Sequence, residues 1–353
     1  MPETTLGARQ RAGVASGIVI FLSGYPMHTQ MHAMLQHAPG GADTLYWGET
    51  ARPVPGPGQL RVRVRAAGVN RADIVQREGR YPPPPGASPI LGLEVAGEVD
   101  AVGEGVSGWA AGDALLALIP GGGYAEYALV NADEALAKPA AWSWAEAASL
   151  PEAWLTAWLN LMDVAHLQAG ETALIHAGAS GVGAAAIQLA RWRGARVIAT
   201  CGSADKAAFC QALGADAVVN YRETADLAAA IRALGRADVA LDCVGGPYLD
   251  AHLQCLNQDG RLVVIGVMGG AQATLNLGLL LVKRIRVMGS TLRSQPLERR
   301  AALARALAEH ILPAFVRGEL RWTLDRQFAL PDAAQAHAWV EGNHNKGKVM
   351  LLA

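Results

Sequence analysis

Cysteine is scarce in this chain of 353 residues. The four cysteines all lie between residues 201 and 255, and no two of them form a C-x-x-C pair. Disulfide frameworks and thiolate zinc sites need closely spaced cysteines, so the sequence argues against both. Few, unpaired thiols fit a reducing compartment, and we therefore expect a cytoplasmic protein without a bound metal.

Charge of either sign is also sparse. Charged residues make up 17% of the chain, the net charge is −1, and only five of the 30 basic residues are lysines. No basic run interleaved with aromatic residues occurs. Nucleic acid is therefore not expected as a partner.

No long hydrophobic run is present. The best candidate, residues 14–22, is interrupted by Ser16 and Gly17, and no small-residue cleavage site follows it. It is shorter than a membrane span and matches a signal peptide poorly. We therefore expect residues 1–30 to be a disordered extension and the protein to have no membrane contact.

The first half of the chain has the pattern of a small β domain. Residues 60–66 alternate between apolar and polar side chains, as in a strand with one buried face. Further strand-like segments at 93–102, 114–118 and 124–130 are separated by glycines, which favour turns. The sequence therefore predicts an antiparallel or barrel-like β domain.

After residue 139 the pattern changes to short apolar strands that alternate with helices. Helices are predicted at 144–150 (with Ser143 as N-cap), 154–162, 181–193, 203–213, 224–234 and 247–256, and strands at 172–176, 196–200, 218–220, 239–242, 261–265 and 284–289. This alternation is typical of a doubly wound parallel sheet, so the fold class is α/β. Two helices (297–317 and 332–340) and a strand (348–352) follow, and this end is expected to fold back onto the β domain. One predicted domain combines residues 31–153 with residues 294–353. The second predicted domain, residues 154–293, is inserted between these two segments.

The strongest local motif is a glycine-rich turn between a strand and a helix. Its sequence is His176-Ala-Gly-Ala-Ser-Gly-Val-Gly183. In the dinucleotide fingerprint G-x-G-x-x-G, backbone N–H groups at the helix N-terminus bind a pyrophosphate. Gly178 and Gly183 match this fingerprint, whereas Ser180 replaces the middle glycine. Such a turn can also serve tight packing only, but the strand–helix units that follow favour a dinucleotide site.

The end of the next strand indicates the type of cofactor. It lacks the acid that binds the ribose hydroxyls of NAD. Gly202, Ser203 and Lys206 stand there instead and can bind a 2′-phosphate, so the sequence predicts NADPH. The alternative is an ordinary Ser203 N-cap beside a solvated lysine. Tyr221 is either an adenine contact or a half-buried tyrosine at the sheet edge.

The predicted β domain lacks the ligands of a metal site. The loop Gly92-Leu93-Glu94 has leucine where a ligand would be needed, and no His–carboxylate or Ser–Tyr–Lys pattern stabilises charge on a plain ketone. A quinone or an enone spreads that charge over its own π system, so the sequence favours these acceptors. Asn70 and Tyr81 either shape their pocket or are a turn residue and a loop aromatic.

The motifs taken together resemble a known family. They are GVNRAD (68–73), YPPPPGAS (81–88), LGLEVAGEV (91–99), PGGGYAEY (120–127), LPEAWLTAW (150–158), LIHAGASGVG (174–183), GADAVVNY (214–221), LDCVGG (241–246), IGVMGG (265–270), STLRS (290–294) and NKGKVML (345–351). Over residues 31–353 the chain resembles the medium-chain dehydrogenase/reductase superfamily, in its zinc-independent quinone oxidoreductase (zeta-crystallin-like) branch. It is most similar to the tumour-suppressor-inducible NADPH quinone oxidoreductase subfamily, which has no counterpart of residues 1–30.

The resemblance implies a GroES-like β-barrel catalytic domain that a Rossmann domain interrupts. It also implies hydride transfer from NADPH to quinones and a homodimer or tetramer joined through the cofactor domains. Asn70, Tyr81 and Ser180 match positions that face the nicotinamide and the substrate. The positions implied to contact NADPH are Thr156, Gly178, Ser180, Gly181, Val182, Gly183, Gly202, Ser203, Lys206, Tyr221, Cys243, Val244, Val267, Met268, Leu292 and Lys348.

Two other functions stay open at this point. The first is an NADPH-dependent reductase of enone or alkenal double bonds, which product analysis separates from a quinone reductase. The second is a nucleotide-binding sensor or structural protein with little catalysis, which would bind NADPH without turnover.

Overall fold

The computed structural model describes residues 29–353. The predicted extension, residues 1–30, lies outside the described residues except for its last two, and Gln30 already begins the first strand. Within the described range no helix is both long and apolar enough to cross a membrane.

The described residues form three sheets. In chain order their strands are β1 (Gln30–Gln36), β2 (Leu45–Ala51), β3 (Gln59–Val69), β4 (Glu94–Val102), β5 (Ala114–Leu118), β6 (Tyr127–Asn131), β7 (Ala135–Ala137), β8 (Thr172–Ile175), β9 (Arg196–Cys201), β10 (Ala217–Asn220), β11 (Ala237–Asp242), β12 (Leu256–Val264), β13 (Arg286–Gly289), β14 (Leu324–Ala329) and β15 (Lys348–Leu352).

The helices lie between these strands and after β13. They are α1 (Arg71–Arg77), α2 (Trp144–Ala148), α3 (Pro151–Trp158), α4 (Gly181–Trp192), α5 (Ala204–Ala212), α6 (Leu227–Leu234), α7 (Leu249–Cys255), α8 (Leu277–Lys283), α9 (Leu297–Ala306), α10 (Leu312–Val316) and α11 (Ala333–Glu341). Wider π-type turns continue α3 over Leu159–Val164 and α9 over Leu307–Ile311.

One sheet draws its strands from both ends of the chain. Its order is β14-β15-β3-β4-β5-β7, and β6 also pairs with β3. All pairs are antiparallel except β14 with β15. On β3 Leu60, Val62 and Val64 are buried while Arg63 is exposed, as the alternation of residues 60–66 predicts. A separate antiparallel pair, β1 with β2, lies beside this sheet through a bridge from Ala33 to Ala125.

The other large sheet is fully parallel. Its order is β10-β9-β8-β11-β12-β13. The chain moves outward from β8 through β9 to β10 and then returns to the other side of β8 with β11. The carboxyl ends of β8 and β11 therefore flank a topological switch point, where such sheets bind ligands. The predicted α/β fold, a β domain with a doubly wound parallel sheet, is confirmed.

The two sheets share one hydrophobic core. A single buried cluster contains Ala66 and Ala96 of the mixed sheet and Ile175 and Val197 of the parallel sheet. Residues of α2, α3 and α4 connect them within that cluster. Polar groups that face the junction between the two sheets are therefore surrounded by apolar side chains.

Several elements differ from the sequence prediction. The prediction misses β1, β2, β7, α1, α8 and β14, and it starts α6 at residue 224 and β12 at residue 261. Strand β14 is largely exposed at a sheet edge and so lacks an alternating apolar pattern. Helix α6 begins only at Leu227 because the Asp226 side chain caps it, accepting a hydrogen bond from the Ala229 N–H at 2.9 Å. The predicted Ser143 N-cap is confirmed.

Candidate active site

The first predicted cofactor segment is the turn between β8 and α4. Ser180 caps α4, and its Oγ accepts a hydrogen bond from the Gly183 N–H at 3.0 Å. A Cβ on Gly183 would lie 2.3 Å from the Ala177 carbonyl oxygen and 2.8 Å from Gly178 Cα. Only glycine permits this close approach of backbone, which shapes the helix N-terminus for an anion such as a pyrophosphate.

The second predicted cofactor segment is the turn between β9 and α5. Ser203 caps α5 by accepting a hydrogen bond from the Lys206 N–H at 3.3 Å. Lys206 is not a solvated lysine, because it is half-buried and its Nζ donates to the Asn343 carbonyl oxygen at 2.6 Å. Desolvation lowers the pKa of Lys206. The ammonium group is thus held in place beside the cap.

Two side chains that follow β10 lie against this turn. A Cβ on Gly202 would lie 2.6 Å from the Tyr221 hydroxyl and 3.3 Å from Arg222 Nε. Tyr221 is 40% exposed, which leaves part of its ring open to an adenine. Arg222 was not predicted, because nothing in the sequence distinguishes it from the other arginines. Ser203, Lys206 and Arg222 together provide a hydroxyl and two cations, which fits a 2′-phosphate.

The loops after β11 and β12 meet at the same edge of the sheet. The Met268 N–H donates to the Cys243 carbonyl oxygen at 3.1 Å, which joins the two loops. Val267 and Met268 are 46% and 51% exposed and present an apolar surface. Asp242 holds the first loop by accepting the Val244 N–H at 2.7 Å, and burial raises its pKa to about 6. The four predicted residues of these loops are therefore close together.

A buried polar cluster lies against the first turn of α4, which Gly181, Val182 and Gly183 form. The Lys348 ammonium forms an ion pair with Glu94 and donates to Asn70 Oδ1 at 2.7 Å. Asn70 Nδ2 in turn donates to Glu94 Oε1 at 3.0 Å. A Cβ on Gly181 would lie 2.6 Å from Lys348 Cδ, so the lysine stem packs directly on the helix. The fold thus brings the predicted residues Asn70, Gly181 and Lys348 together. The Lys348 ammonium group already has partners within the protein, Glu94 and Asn70.

A second set of buried hydrogen bonds holds Asn70 in place. The Asp73 carboxylate accepts the Asn70 N–H at 2.8 Å, the Gly92 N–H at 3.1 Å and the Tyr124 hydroxyl at 3.0 Å. The Tyr124 oxygen also lies 3.2 Å from His337 Nε2. Burial raises the pKa of Asp73 to about 6. This acid–tyrosine–histidine set was missed, because its members are distant in sequence and share no spacing.

An apolar pocket borders the cluster. Leu118, Ile119 and Leu292 line it together with Glu152 and Arg293. Glu152 connects the pocket to the cluster, because its backbone N–H donates to a Glu94 oxygen at 2.8 Å. The pocket is thus mostly apolar, with one acid and the guanidinium groups of Arg293 and Arg300 on its wall.

Two further predicted residues contact side chains on the wall of this pocket. The Arg293 guanidinium lies over the Tyr81 ring, 5.4 Å from its centroid. The Thr156 hydroxyl donates to Glu152 Oε1 at 3.3 Å. Tyr81 and Thr156 are therefore placed beside Glu152 and Arg293, two residues for which the sequence carries no signal. The roles assigned to the predicted residues stay predictions.

Two family models match the chain. The alcohol dehydrogenase GroES-like domain matches residues 56–140, and the model described as zinc-binding dehydrogenase matches residues 181–309. Together they cover most of the β domain and of the parallel sheet.

Solved structures share the described fold. A mycobacterial protein complexed with NADPH is 31% identical, with a TM-score of 0.83 over 92% of this chain and 100% of that chain. A quinone oxidoreductase of Pseudomonas syringae pv. tomato DC3000 is 30% identical, with a TM-score of 0.82 over 92% and 100%. The CurK enoyl reductase is 30% identical, with a TM-score of 0.79 over 92% and 99%. The NADPH complex agrees with the predicted cofactor.

Curated relatives are much longer proteins. The polyketide synthase GfsB of Streptomyces halstedii is 40% identical over 234 residues, which is 65% of this chain but 4% of that protein. A phenolphthiocerol/phthiocerol polyketide synthase subunit of Mycobacterium tuberculosis is 33% identical over 316 residues, which is 89% of this chain and 14% of that protein. The chain thus spans a small part of the curated relatives it matches.

The surroundings of Glu94 do not fit zinc. The part of the chain that the structure describes contains no group of three or more His, Cys, Asp or Glu side chains that could hold a metal ion. The nearest charged partner of Glu94 is the Lys348 ammonium, and a second cation beside it would be repelled. The ion pair itself compensates the buried carboxylate.

Proposed function

Because the chain belongs to the medium-chain dehydrogenase/reductase superfamily, we propose that it is an NADPH-dependent quinone reductase of the zinc-independent branch. The observation that carries this proposal is the buried Lys348–Glu94 ion pair beside the cofactor turn. In this ion pair the cation next to the proposed substrate pocket is the Lys348 ammonium group, not a metal ion. Such a site suits an acceptor that delocalises the charge of the added hydride.

The two turns and the loops at the sheet edge supply the NADPH contacts. The turn at Ser180 binds the pyrophosphate, and Ser203, Lys206 and Arg222 bind the 2′-phosphate. The exposed side chains of Val267 and Met268 cover the nicotinamide side. When bound, NADPH supplies the hydride. The chain's own residues hold the ring next to the pocket and exclude water from it.

The pocket favours a flat conjugated acceptor. Its wall is apolar except for Glu152, Arg293 and Arg300, and the Arg293 guanidinium lies over the half-buried Tyr81 ring. Similarity to the Pseudomonas quinone oxidoreductase supports a quinone. Similarity to the CurK enoyl reductase and to polyketide synthases supports a second candidate, reduction of a carbonyl-conjugated C=C bond.

Stopped-flow oxidation of NADPH and NADH tests the proposal. We expect fast, NADPH-selective turnover with 1,2-naphthoquinone and formation of the hydroquinone. Faster turnover with trans-2-hexenal and a saturated aldehyde product would favour the second candidate. Tight NADPH binding without turnover of either acceptor would contradict both and leave a nucleotide-binding protein.

Lys206→Ala is expected to weaken NADPH binding by about 1–3 kcal/mol, the scale of a lost hydrogen bond to a charged group. Binding of NADH should change little, because NADH lacks the 2′-phosphate. Fluorescence titration at constant ionic strength measures both affinities. Lys138→Ala is the control, because Lys138 donates to the Pro139 carbonyl oxygen and lies over the Trp144 ring rather than at either turn. Equal losses for the two cofactors would contradict the 2′-phosphate site.

We also propose that two copies of the chain pair through the edge strand β13 and helix α8. β13 ends the parallel sheet, and Val287 on it is 43% exposed. Leu277, Leu281 and Val282 of α8 are 67%, 77% and 72% exposed. An edge strand followed in space or sequence by exposed apolar side chains favours pairing with a second sheet, and α8 lies directly before β13 in the chain.

Leu281→Asp is expected to convert this dimer to a monomer, because it places a charge in the apolar contact. Light scattering coupled to gel filtration should give twice the 36.9 kDa of one chain for the wild type and one chain mass for the variant. Val316→Asp is the control, since Val316 is 69% exposed on α10, away from β13. A monomeric wild type, or a dimeric Leu281→Asp variant, would refute the interface.

We place the enzyme in the cytoplasm. All four cysteines are free thiols, and Cys201, Cys210 and Cys255 are buried. A chain that relies on no disulfide suits a reducing compartment.

A further inference from the structure

Glu152 has one buried carboxyl oxygen that forms no hydrogen bond within residues 29–353. It lies in the first turn of α3, where its Oε1 accepts the Thr156 hydroxyl at 3.3 Å. Its Oε2 is buried and has no hydrogen-bond partner among residues 29–353. Buried polar atoms normally have a partner. The free oxygen on a pocket wall therefore points to a group that enters from outside.

Arg293 has the complementary property on the same pocket. Its Nε donates to the Pro120 carbonyl oxygen at 2.7 Å, which fixes the plane of the guanidinium group. Its Nη1 and Nη2 are buried, and neither has a hydrogen-bond partner in the described part of the chain. Although Glu152 and Arg293 line one pocket, no ion pair within 4.0 Å joins them in the described residues. A substrate oxygen between them would meet guanidinium donors on one side and a carboxyl group on the other.

Burial, more than the charged groups around it, favours the protonated form of Glu152. The groups that face it or share its pocket are Lys348, Glu94, Asp73, Tyr81, Arg293 and Arg300. Burial has the largest effect and, with Glu94 and Asp73, outweighs Lys348 and raises the pKa of Glu152 to about 7. Arg300 is already paired with Glu134. At neutral pH the carboxyl group therefore still holds a transferable proton in much of the population.

We propose that Glu152 is the proton donor of the reaction and that Arg293 binds the acceptor's carbonyl oxygen beside it. This inference rests on the proposed reductase function and deepens it. The proposed roles of Glu152 and Arg293 require a conjugated carbonyl substrate whose oxygen enters the pocket. Apolar side chains of Leu118, Ile119 and Leu292 then contact its carbon frame.

The step balances with the components already named. Hydride addition forms one C–H bond on the acceptor and moves a π-electron pair onto its carbonyl oxygen. The Glu152 O–H bond breaks as a new O–H bond forms on that oxygen, and the guanidinium donors of Arg293 stabilise the developing charge. The acceptor thus gains one hydride, which bound NADPH would supply, and one proton. The resulting tautomer gives the hydroquinone, or the saturated carbonyl product of an enone, by exchanging a proton with water. The Glu152 carboxylate regains its proton from water after the product leaves.

Glu152→Gln is the main test, because it keeps the shape and removes the proton. We expect kcat with 1,2-naphthoquinone to fall on the order of 10²–10⁴-fold, with NADPH affinity unchanged. In the wild type kcat should fall as the pH rises through about 7, because the donor must be protonated, and the residual rate of the variant should lack this limb. Glu309→Gln, which changes an exposed glutamate, should leave kcat and the limb intact.

A readout without turnover accompanies the kinetics. The component of the protonated-carboxyl infrared band that is lost as the pH rises through about 7 should be missing from the difference spectrum of Glu152→Gln, whereas the absorption of Asp73 and Asp242, whose pKa values are about 6, should remain. Arg293→Lys should raise KM for 1,2-naphthoquinone roughly tenfold with a smaller change in kcat, because one guanidinium contact is lost. If Glu152→Gln does not fold, Glu152→Asp should keep the pH limb at a lower kcat.

The outcomes separate the two proposals. Wild-type turnover without a limb near pH 7, or a Glu152→Gln variant with kcat within about twofold of wild type, would overturn the proton-donor role and leave the reductase intact. A wild type that reduces neither quinone nor enone would overturn the reductase, and the donor role with it, even if the infrared band titrates as expected.

Discussion

Replacing Lys348 by methionine is expected to lower the free energy of unfolding by about 3–5 kcal/mol. Lys348 is 4% exposed and its partner Glu94 is fully buried. The variant keeps the volume of the side chain but leaves the Glu94 carboxylate without its cation and Asn70 Oδ1 without its donor. Urea unfolding followed by tryptophan fluorescence measures the loss.

Two controls separate the lost charge from lost packing. Removing both charges in Glu94→Gln/Lys348→Met should recover much of the stability, because no unpaired ion then remains buried. Lys346→Met, two residues away, breaks only a partly exposed pair with Asp205 and should cost less than about 1 kcal/mol. Equal losses in the single and double variants would show that packing, not charge, dominates at this position.

Replacing Gly183 by alanine is expected to weaken NADPH binding at least tenfold, about 1.4 kcal/mol or more. The added methyl would lie 2.3 Å from the Ala177 carbonyl oxygen, which is a backbone atom, so the whole turn must shift. The backbone N–H groups at the start of α4 then no longer converge on the pyrophosphate. Overpacking should also lower the free energy of unfolding by about 1–3 kcal/mol.

Fluorescence titration with NADPH checks this prediction. Gly56→Ala is the matched control, because the nearest atom to its added Cβ is Gln59 Oε1 at 3.4 Å, an ordinary contact. It should bind NADPH as the wild type does. A Gly183→Ala variant with unchanged affinity would show that the pyrophosphate lies elsewhere.

Much of the fold could be predicted because its signals are local. Each strand–helix unit from β8 to β12 carries its own apolar run and turn residues within a short stretch of chain. Elements without such a signal were missed. Helix α8 exposes Leu281 and Val282 rather than burying one apolar face, so its sequence lacks helical amphipathicity.

The residues of the candidate site likewise fall into those with a local sequence signal and those without one. The glycines and Ser180 of the turn between β8 and α4 form one continuous motif, and Ser203 and Lys206 follow β9 closely. Glu94 and Lys348 are 254 residues apart, and Glu94 and Glu152 are 58 residues apart. No spacing rule connects such pairs, so the resemblance placed Lys348 near the nicotinamide without indicating the partners of its ammonium group.

By itself the sequence determined the doubly wound sheet, the position of the two turns proposed to bind the dinucleotide and the absence of cysteines before residue 201. These properties follow from neighbouring residues, because periodicity and turn chemistry act over a few positions. Only the tertiary structure decided which acids are buried together and which polar atoms stay unpaired. Burial, and with it the raised pKa of Glu152, depends on residues that meet only when the mixed sheet closes against α3 and α4.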